Sequence, residues 1–488
     1  MKLKSISAFL AAALAVTLLA SCAPANNQPI EPTIDSDAIS TAVTGTLAAG
    51  QTETAAEAEN LAASVTALPS PGPTSALPSP EPTGPAVESP TETVLEPMPP
   101  PAPAGVPDEL IVAYVDPGRN VWVWTESGGA RQLTTSGDVG DVRISDDGQW
   151  IAFTRSVDFT HASLWAIRSD GTQEKALMDV EAFGSLPVPA EAVSIIPALF
   201  DWQPSTHTLA FTTRPTFEGP GLMLSNDLWL VNADTGDRDE LLAAGSGGRF
   251  AYSPDGSQIA LVRPESVSLM NADGSDLREN VLTFPQVMTF SEFEYYPSPV
   301  WSPDGSFLRV AIPPADQMQE PPGPTTIWEI PTDGSPAFQV GSVENAPFFY
   351  PVLSRDAAKI AYQRWAGDPG LNRHELHIAA VDGSEDALYL TEMALLFNNW
   401  APDSTRFVFT AGDTARSYLG QVGQVPQPLT DVSSVADVRW VDDSRFLFIV
   451  RSTLVLELRI GEVEAPSRLI YGTEPIPEQF LSYDFAVP

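Results

Sequence analysis

Four histidines are a scarce chemical resource of this 488-residue chain. His374-Glu375-Leu376-His377 invites comparison with a zinc-protease helix, but its spacing is i, i+3 and its context reads as a strand. A strand sends those two rings to opposite faces, so the pattern predicts no metal site. His161 and His207 stand alone. Carboxylate pairs occur at Asp146-Asp147 and Asp442-Asp443, a pattern open to acid–base work or to calcium. Both lie in turn-like sequence, where aspartate binds the backbone of its own turn. Asp273-Gly274-Ser275-Asp276 is too short for a calcium loop. No Gly-x-Ser-x-Gly elbow supplies a nucleophile. No catalytic constellation and no cofactor is expected. The chemistry that remains is aromatic: Phe290, Phe293, Tyr295 and Tyr296, then Phe348, Phe349 and Tyr350, with Trp365 beyond. Such rings either form a platform for protein, peptide or glycan, or pack beneath their own loops.

The start is an address. Lys2 and Lys4 precede an apolar run from about Ile6 to Ala20, too short to span a membrane comfortably. It ends in Leu19-Ala20-Ser21-Cys22, and Cys22 is the only cysteine. One cysteine allows no disulfide framework. These four residues resemble the lipobox of bacterial lipoproteins. The resemblance implies that residues 1–21 are a signal peptide, that Cys22 carries lipid, and that the chain is tethered to the outer face of a bacterial membrane. By the same analogy, Ala23 after the cysteine implies no retention at an inner membrane. Stable anchoring takes more than one acyl chain, at about 0.8 kcal/mol per buried CH₂.

Residues 22–107 read as a linker. From 23 to 107 there is no aromatic and no Lys or Arg, while 17 of the 47 prolines and ten acids fall there. Such a composition cannot bury enough apolar surface to offset its ordering entropy, so disorder is expected. Net charge is −38 over the chain, and the acids outnumber the bases chiefly after residue 107. Clustered cations for phosphate are lacking, which excludes nucleic acid as a partner.

From Asp108 the texture changes to short apolar runs between turn clusters. Tyr252-Ser253-Pro254-Asp255-Gly256 and Trp301-Ser302-Pro303-Asp304-Gly305 are the clearest copies of one unit. Weaker copies place Asp147, Ser205, Asp356, Asp403 and Asp443 at the same turn position, with a mean spacing of about 49 residues. A second turn, as in Asn232-Ala233-Asp234-Thr235-Gly236 and Asn271-Ala272-Asp273-Gly274, follows each first one. Asp-Gly suits hairpins because Gly tolerates positive φ. These motifs resemble the TolB-like β-propeller repeat, also seen in the propellers of prolyl-oligopeptidase-type proteins. The resemblance covers most of 108–488 and implies an all-β propeller of four-stranded blades, with binding, assembly or enzyme gating among its uses.

Seven markers each begin a blade. Before them, Ile111–Val115, Val121–Thr125 and Arg131–Thr135 read as a blade lacking its first strand. Leu481–Val487 is expected to supply it, giving eight blades, with seven as the alternative. Trp122, Trp150, Trp202, Trp229, Trp301, Trp328, Trp400 and Trp440 fall at regular strand positions and read as core or seam. The tight turns define one face. The long insertions 179–198, 214–226, 281–297, 313–326, 341–351 and 364–372 belong to the other, on blades 3 to 6. Loops on a rigid scaffold are where binding resides. The reading is a non-enzymatic envelope lipoprotein that binds a protein, peptide or glycan through that face. The alternative is an extracellular hydrolase or lyase with carboxylates at the central funnel, separated by about 5 to 9.5 Å.

Overall fold

The computed structural model describes residues 109–218, 223–289, 294–432, 434–452, 454–474 and 481–488. The signal 1–21, Cys22, the linker 22–107, Phe290 and Phe293 lie outside the described residues. Eight antiparallel sheets of four strands follow one another around a ring. In blades 2 to 8 the sheet order is the chain order, a meander. Blade 1 alone combines Gly129–Gln132, Val121–Thr125 and Ile111–Val115 with the C-terminal strand Ser482–Ala486. That closing strand pairs from Ile111↔Ala486 to Val115↔Ser482. Closure from both chain ends leaves no open ring edge.

Two boundaries differ from the sequence reading. The outer strand of blade 1 is Gly129–Gln132 rather than 131–135. The insertions 179–198 and 214–226 are not plain loops. The first contains a helix, Val180–Gly184, capped by the Asp179 side chain accepting from the Ala182 amide. The strands Ala192–Trp202 and Thr208–Phe217 then run on past the blade as a paired hairpin, Ala192↔Phe217 at its far end. Ile195, Ile196, Thr212, Thr213 and Thr216 are β-branched and buried, which favours pleated pairing there. Pro197 and Pro215 are tolerated near register slips and the sheet's inner edge.

The turns explain the repeat. In blade 4, Ser253 Oγ donates to Asp255 Oδ1 (2.6 Å), the Ser257 amide donates to the same oxygen (3.0 Å), and Gln258 N donates to Ser253 Oγ (2.9 Å). Gly256 closes the turn at φ 70°. Asp147, Asp304 and Asp356 repeat the arrangement, each taking a serine hydroxyl and an amide two residues on. Asp403 takes the amides of Thr405 and Arg406. In blade 8 the work passes to Asp442, which accepts from the Ser444 and Arg445 amides. Asp443, the marker read from the sequence, instead offers its carbonyl to Arg406 (3.1 Å).

Tryptophans stitch the seams. Trp202, Trp301, Trp400 and Trp440 each end an inner strand, and each indole donates to an inner-strand carbonyl of the preceding blade. The acceptors are Arg143, Ala251, Val352 and Asn399, at 3.2, 3.3, 3.0 and 3.4 Å. Large rings thereby fill the space between twisted sheets while their one donor is satisfied.

Candidate functional site

The aromatic residues singled out by sequence divide into two knots on the long-loop face. Tyr295 stacks on Tyr350 at 5.0 Å and donates its hydroxyl to Ala311 O at 3.0 Å. Phe349 meets Trp365 edge-on at 5.8 Å, and both rings pack on His374, at 4.7 and 4.3 Å. Tyr296 is buried, with Arg249 over its ring and its hydroxyl held by Asn226 and Glu294. Phe348 is half-buried at φ 63°, its amide donating to Gln317 Oε1 (2.8 Å). Of the described aromatics in this set, Tyr350 alone counts as exposed. They build the loop face more than they line it.

His374 and His377 are both buried but belong to different environments. Burial pulls His374 down to about 4. The His377 ring lies between Asp386 (2.9 Å) and Glu375 (3.3 Å).

In blades 3 to 6 what that face presents is mainly aliphatic. Met223, Met288, Met318 and Met393 are exposed, and so is Leu371 at 65%. Four lie in the loops or crossings of blades 3 to 6 on the long-loop side, and Met393 ends the outer strand Ala387–Met393 on that side. The remaining described methionines, Met178 and Met270, are buried. Sequence reasoning weighed rings and passed over methionine. The available signal was the placement of Met288 and Met318 inside proline-rich insertions, where a core role is hard to arrange.

The opposite face carries a clasp. His207 Nδ1 is 2.6 Å from Asp234 Oδ2, and its Nε2 is 2.8 Å from Asp147 Oδ2. Trp150 Nε1 and Arg168 also donate to Asp234, which joins blades 2 and 3. Burial lowers the histidine, but the hydrogen bonds and charges of Asp147 and Asp234 outweigh it and hold His207 above its ordinary value. That contribution to stability is fully present below the unfolded value of about 6.5 and is lost as pH rises through the higher folded value. Asp147 and Asp234 are lowered, so their share is lost instead as pH falls through their folded values. His207→Gln is expected to cost about 1 kcal/mol at pH 6 and less at pH 8. Thermal unfolding at both values checks it; an equal loss at both pH values removes the clasp.

The axis holds a second cluster of charge. One residue before the seam position, which is aromatic in six blades and Ile144 and Leu353 in blades 2 and 6, the inner strands contribute an equivalent position. Around the ring it reads Asp484, Arg143, Asp201, Ala251, Val300, Val352, Asn399 and Arg439, the residues opposite Ala113, Ala152, Ala210, Ala260, Arg309, Ala361, Val408 and Leu447. In blades 2, 3, 7 and 8 the register slips just before this tier. A bulge re-aims the chain locally, and those four blades are the ones presenting Arg143, Asp201, Asn399 and Arg439. Blades 4 to 6 pair without a slip and present only Ala251, Val300 and Val352.

Within the ring, Arg439 reaches Asp484 at 3.3 Å and Asp437 at 3.3 Å, and Arg143 reaches Asp141 at 3.3 Å. Burial raises both axial acids. Asp201 is pushed up to about 6, with the Asp484 charge as the second cause. Asp484 is raised by burial against the opposing pull of Arg439. Paired acids of this kind suit proton transfer or cation binding.

No family model matches the chain, and no curated protein matches it. Solved structures do. Dipeptidyl peptidase 4 of Porphyromonas gingivalis is 14% identical over 67% of this chain, with a TM-score of 0.45, and the match spans 52%, about half, of that enzyme. The β-propeller domain of the Trilobed protease from Pyrococcus furiosus is 14% identical, covering 70% of this chain and 99% of that one at a TM-score of 0.44. TolB from Acinetobacter baumannii is 14% identical, covering 57% and 65% at 0.29. These likenesses concern the propeller fold alone.

Proposed function

We propose that this chain is a non-enzymatic binding protein, tethered by lipid on Cys22 to the outer face of a bacterial membrane, whose propeller docks a protein partner on its long-loop face. The observation that carries the docking is the gathering of exposed Met223, Met288, Met318, Met393 and Leu371 on one side of blades 3 to 6. Exposed apolar side chains gathered on one face mark interaction sites, and methionine adapts to a partner's shape without fixed geometry. The aromatic knots beneath, Tyr295–Tyr350 and Phe349–Trp365–His374, hold the loops that display it. The tether rests on the sequence around Cys22 alone.

The test is capture from the native envelope with the full chain. Met288→Glu combined with Met318→Glu is expected to lower recovery of the partner at least tenfold, since a buried unpaired charge costs about 1.4 kcal/mol or more. Recovery unchanged by the pair would sink the reading. In the same preparation Cys22→Ser should move the chain from the membrane to the aqueous fraction.

A second reading, a carboxylate hydrolase, is favoured by Asp201 and Asp484 in one axial tier. Release of reducing ends or amines from envelope polymers, lost in Asp484→Asn, would select it over docking.

A further inference from the structure

The axial tier is bridged from blade to blade over only part of its circumference. Asn399 Nδ2 donates to Val438 O of blade 8 at 3.1 Å. Arg439 of blade 8 reaches Asp484 of blade 1 at 3.3 Å, and Asp484 accepts the Ile144 amide of blade 2 at 3.0 Å. The Arg143 guanidinium of blade 2 lies over the Phe200 ring of blade 3, 5.6 Å from its centre. At Asp201 the relay stops. Its carboxylate accepts from the amide of its own neighbour Trp202 at 2.9 Å, and it makes no ion pair among the described residues.

The surroundings of Asp201 are unusual in two further ways. The side chain is open to water, yet protein encloses it closely enough for burial to raise its pKa. This combination is what a channel wall gives. Across the seam, on blade 4, the buried Tyr252 hydroxyl has no partner among the described residues, and the Asp201 charge adds to the burial that raises it. Beyond it, Ala251, Val300 and Val352 occupy the tier where the other blades place longer bridging side chains. Asp484, Arg143 and Asp146 are the charged groups that act on Asp201. Arg143 is already engaged with Asp141, and Arg439 with Asp437 and Asp484. The result is an unpaired carboxylate at the edge of a short apolar arc.

We propose that the axial channel binds a protonated amine on an apolar stem, the ammonium on Asp201 and the stem along Ala251, Val300 and Val352. An ammonium supplies the charge-assisted donors that Asp201 lacks, and its stem removes apolar wall from water. Binding of this kind goes beyond the docking reading, because the tier lies one residue before the tight turns that end the inner strands, at the end of the channel away from the docking loops. The amine is either a free small molecule or a lysine side chain of a partner that reaches this end of the channel.

Titration calorimetry on the full chain at pH 7.5 tests this with n-pentylamine, n-pentanol and a short N-acetylated, lysine-containing peptide. The amine is expected to bind, pentanol at least tenfold more weakly, and Asp201→Asn to lose amine binding at least tenfold. Asp443→Asn, an exposed turn acid, should leave it unchanged. Affinity should fall as pH drops through about 6, where Asp201 takes a proton. Folding of the variant is checked by its melting temperature. A raised folded pKa contributes stability below the unfolded value of about 3.9 that is lost as pH rises, so Asp201→Asn should melt no lower than the parent at pH 7.5. Tighter binding of the peptide than of pentylamine assigns the site to a partner's lysine; the reverse assigns it to a free amine. Absence of amine binding, or equal binding by Asp201→Asn or by pentanol, overturns the proposal. Capture that persists in that case keeps the docking reading; capture insensitive to the methionine changes, with amine binding intact, overturns docking alone.

Discussion

Tyr483→Ala should destabilise the propeller by about 3 to 5 kcal/mol, the range for deleting a fully buried aromatic. Tyr483 is at 0% exposure in the strand Ser482–Ala486 that closes the ring. Its hydroxyl donates to Asp437 O and Leu447 O of blade 8, and the Arg439 guanidinium lies 4.7 Å from its ring centre. It packs with Tyr114, Leu447, Leu458 and Ile460, so one side chain joins the first blade to the last. Tyr483→Phe separates the parts. It keeps the packing and forfeits the hydroxyl bonds, at about 1 to 2 kcal/mol. Urea unfolding of both variants is the measurement. Removal of 481–488 should go further, exposing the inner edge of Ile111–Val115 and favouring association between chains. If the shortened chain unfolded at the parent's midpoint and stayed monomeric, closure would not be what holds the ring.

This closure was legible in the sequence because it is a matter of counting strands. Ile111–Val115 and Val121–Thr125 formed a blade short of one strand, and Leu481–Val487 was left over. The turns were legible because they are local: Ser253, Asp255 and Gly256 satisfy one another within six residues. Local information also explains the miss at Asp443. Two adjacent aspartates fit the pattern equally, and the turn from Trp440 to its partner Phe446 is one residue shorter than the turn from Trp400 to Phe407, which moves the turn role to Asp442. The indole bonds of Trp202, Trp301, Trp400 and Trp440 were legible only as burial, since each acceptor lies on another blade.

The axial tier was the least legible feature. Arg143, Asp201 and Arg439 are each one charge ahead of an ordinary turn, and no neighbour in sequence marks them. Their meaning arises when the ring brings residues some 45 to 340 positions apart into one circle. Stacking the repeats on the seam aromatic would have shown charges at this position on adjoining blades and small apolar residues on the other side. The aromatic loops drew attention instead because rings are conspicuous, and the structure uses most of them as supports.

Arg439→Met is the second large effect expected, at about 2 to 3 kcal/mol near pH 7.5, below the 3 to 5 kcal/mol of a dry buried pair because channel water screens it. Arg439 is bonded to Asp437 and Asp484, and the Asp484 carboxylate also accepts the Ile144 amide. Methionine retains most of the stem but leaves Asp484 beside Asp201 without its cation. Burial already raises Asp484, and Arg439 is the first influence opposing that rise. Removing the guanidinium raises the folded value further. The sign then follows: a raised folded pKa leaves stability present below the unfolded value of about 3.9 and lost as pH climbs through the folded one. The loss in Arg439→Met should therefore be small at pH 5 and grow toward pH 8. Arg439→Met with Asp484→Asn should recover most of it, because the acid then left without Arg439 is Asp437, which is exposed to water, while the amide oxygen can still accept from Ile144. Denaturant unfolding of the double-mutant cycle at pH 5 and pH 8 measures the coupling. A pH-independent loss, or a double variant no more stable than Arg439→Met, would mean that Arg439 acts through its packing on Tyr483 rather than through Asp484. The axial charges would then be separate side chains and not one bridged ring.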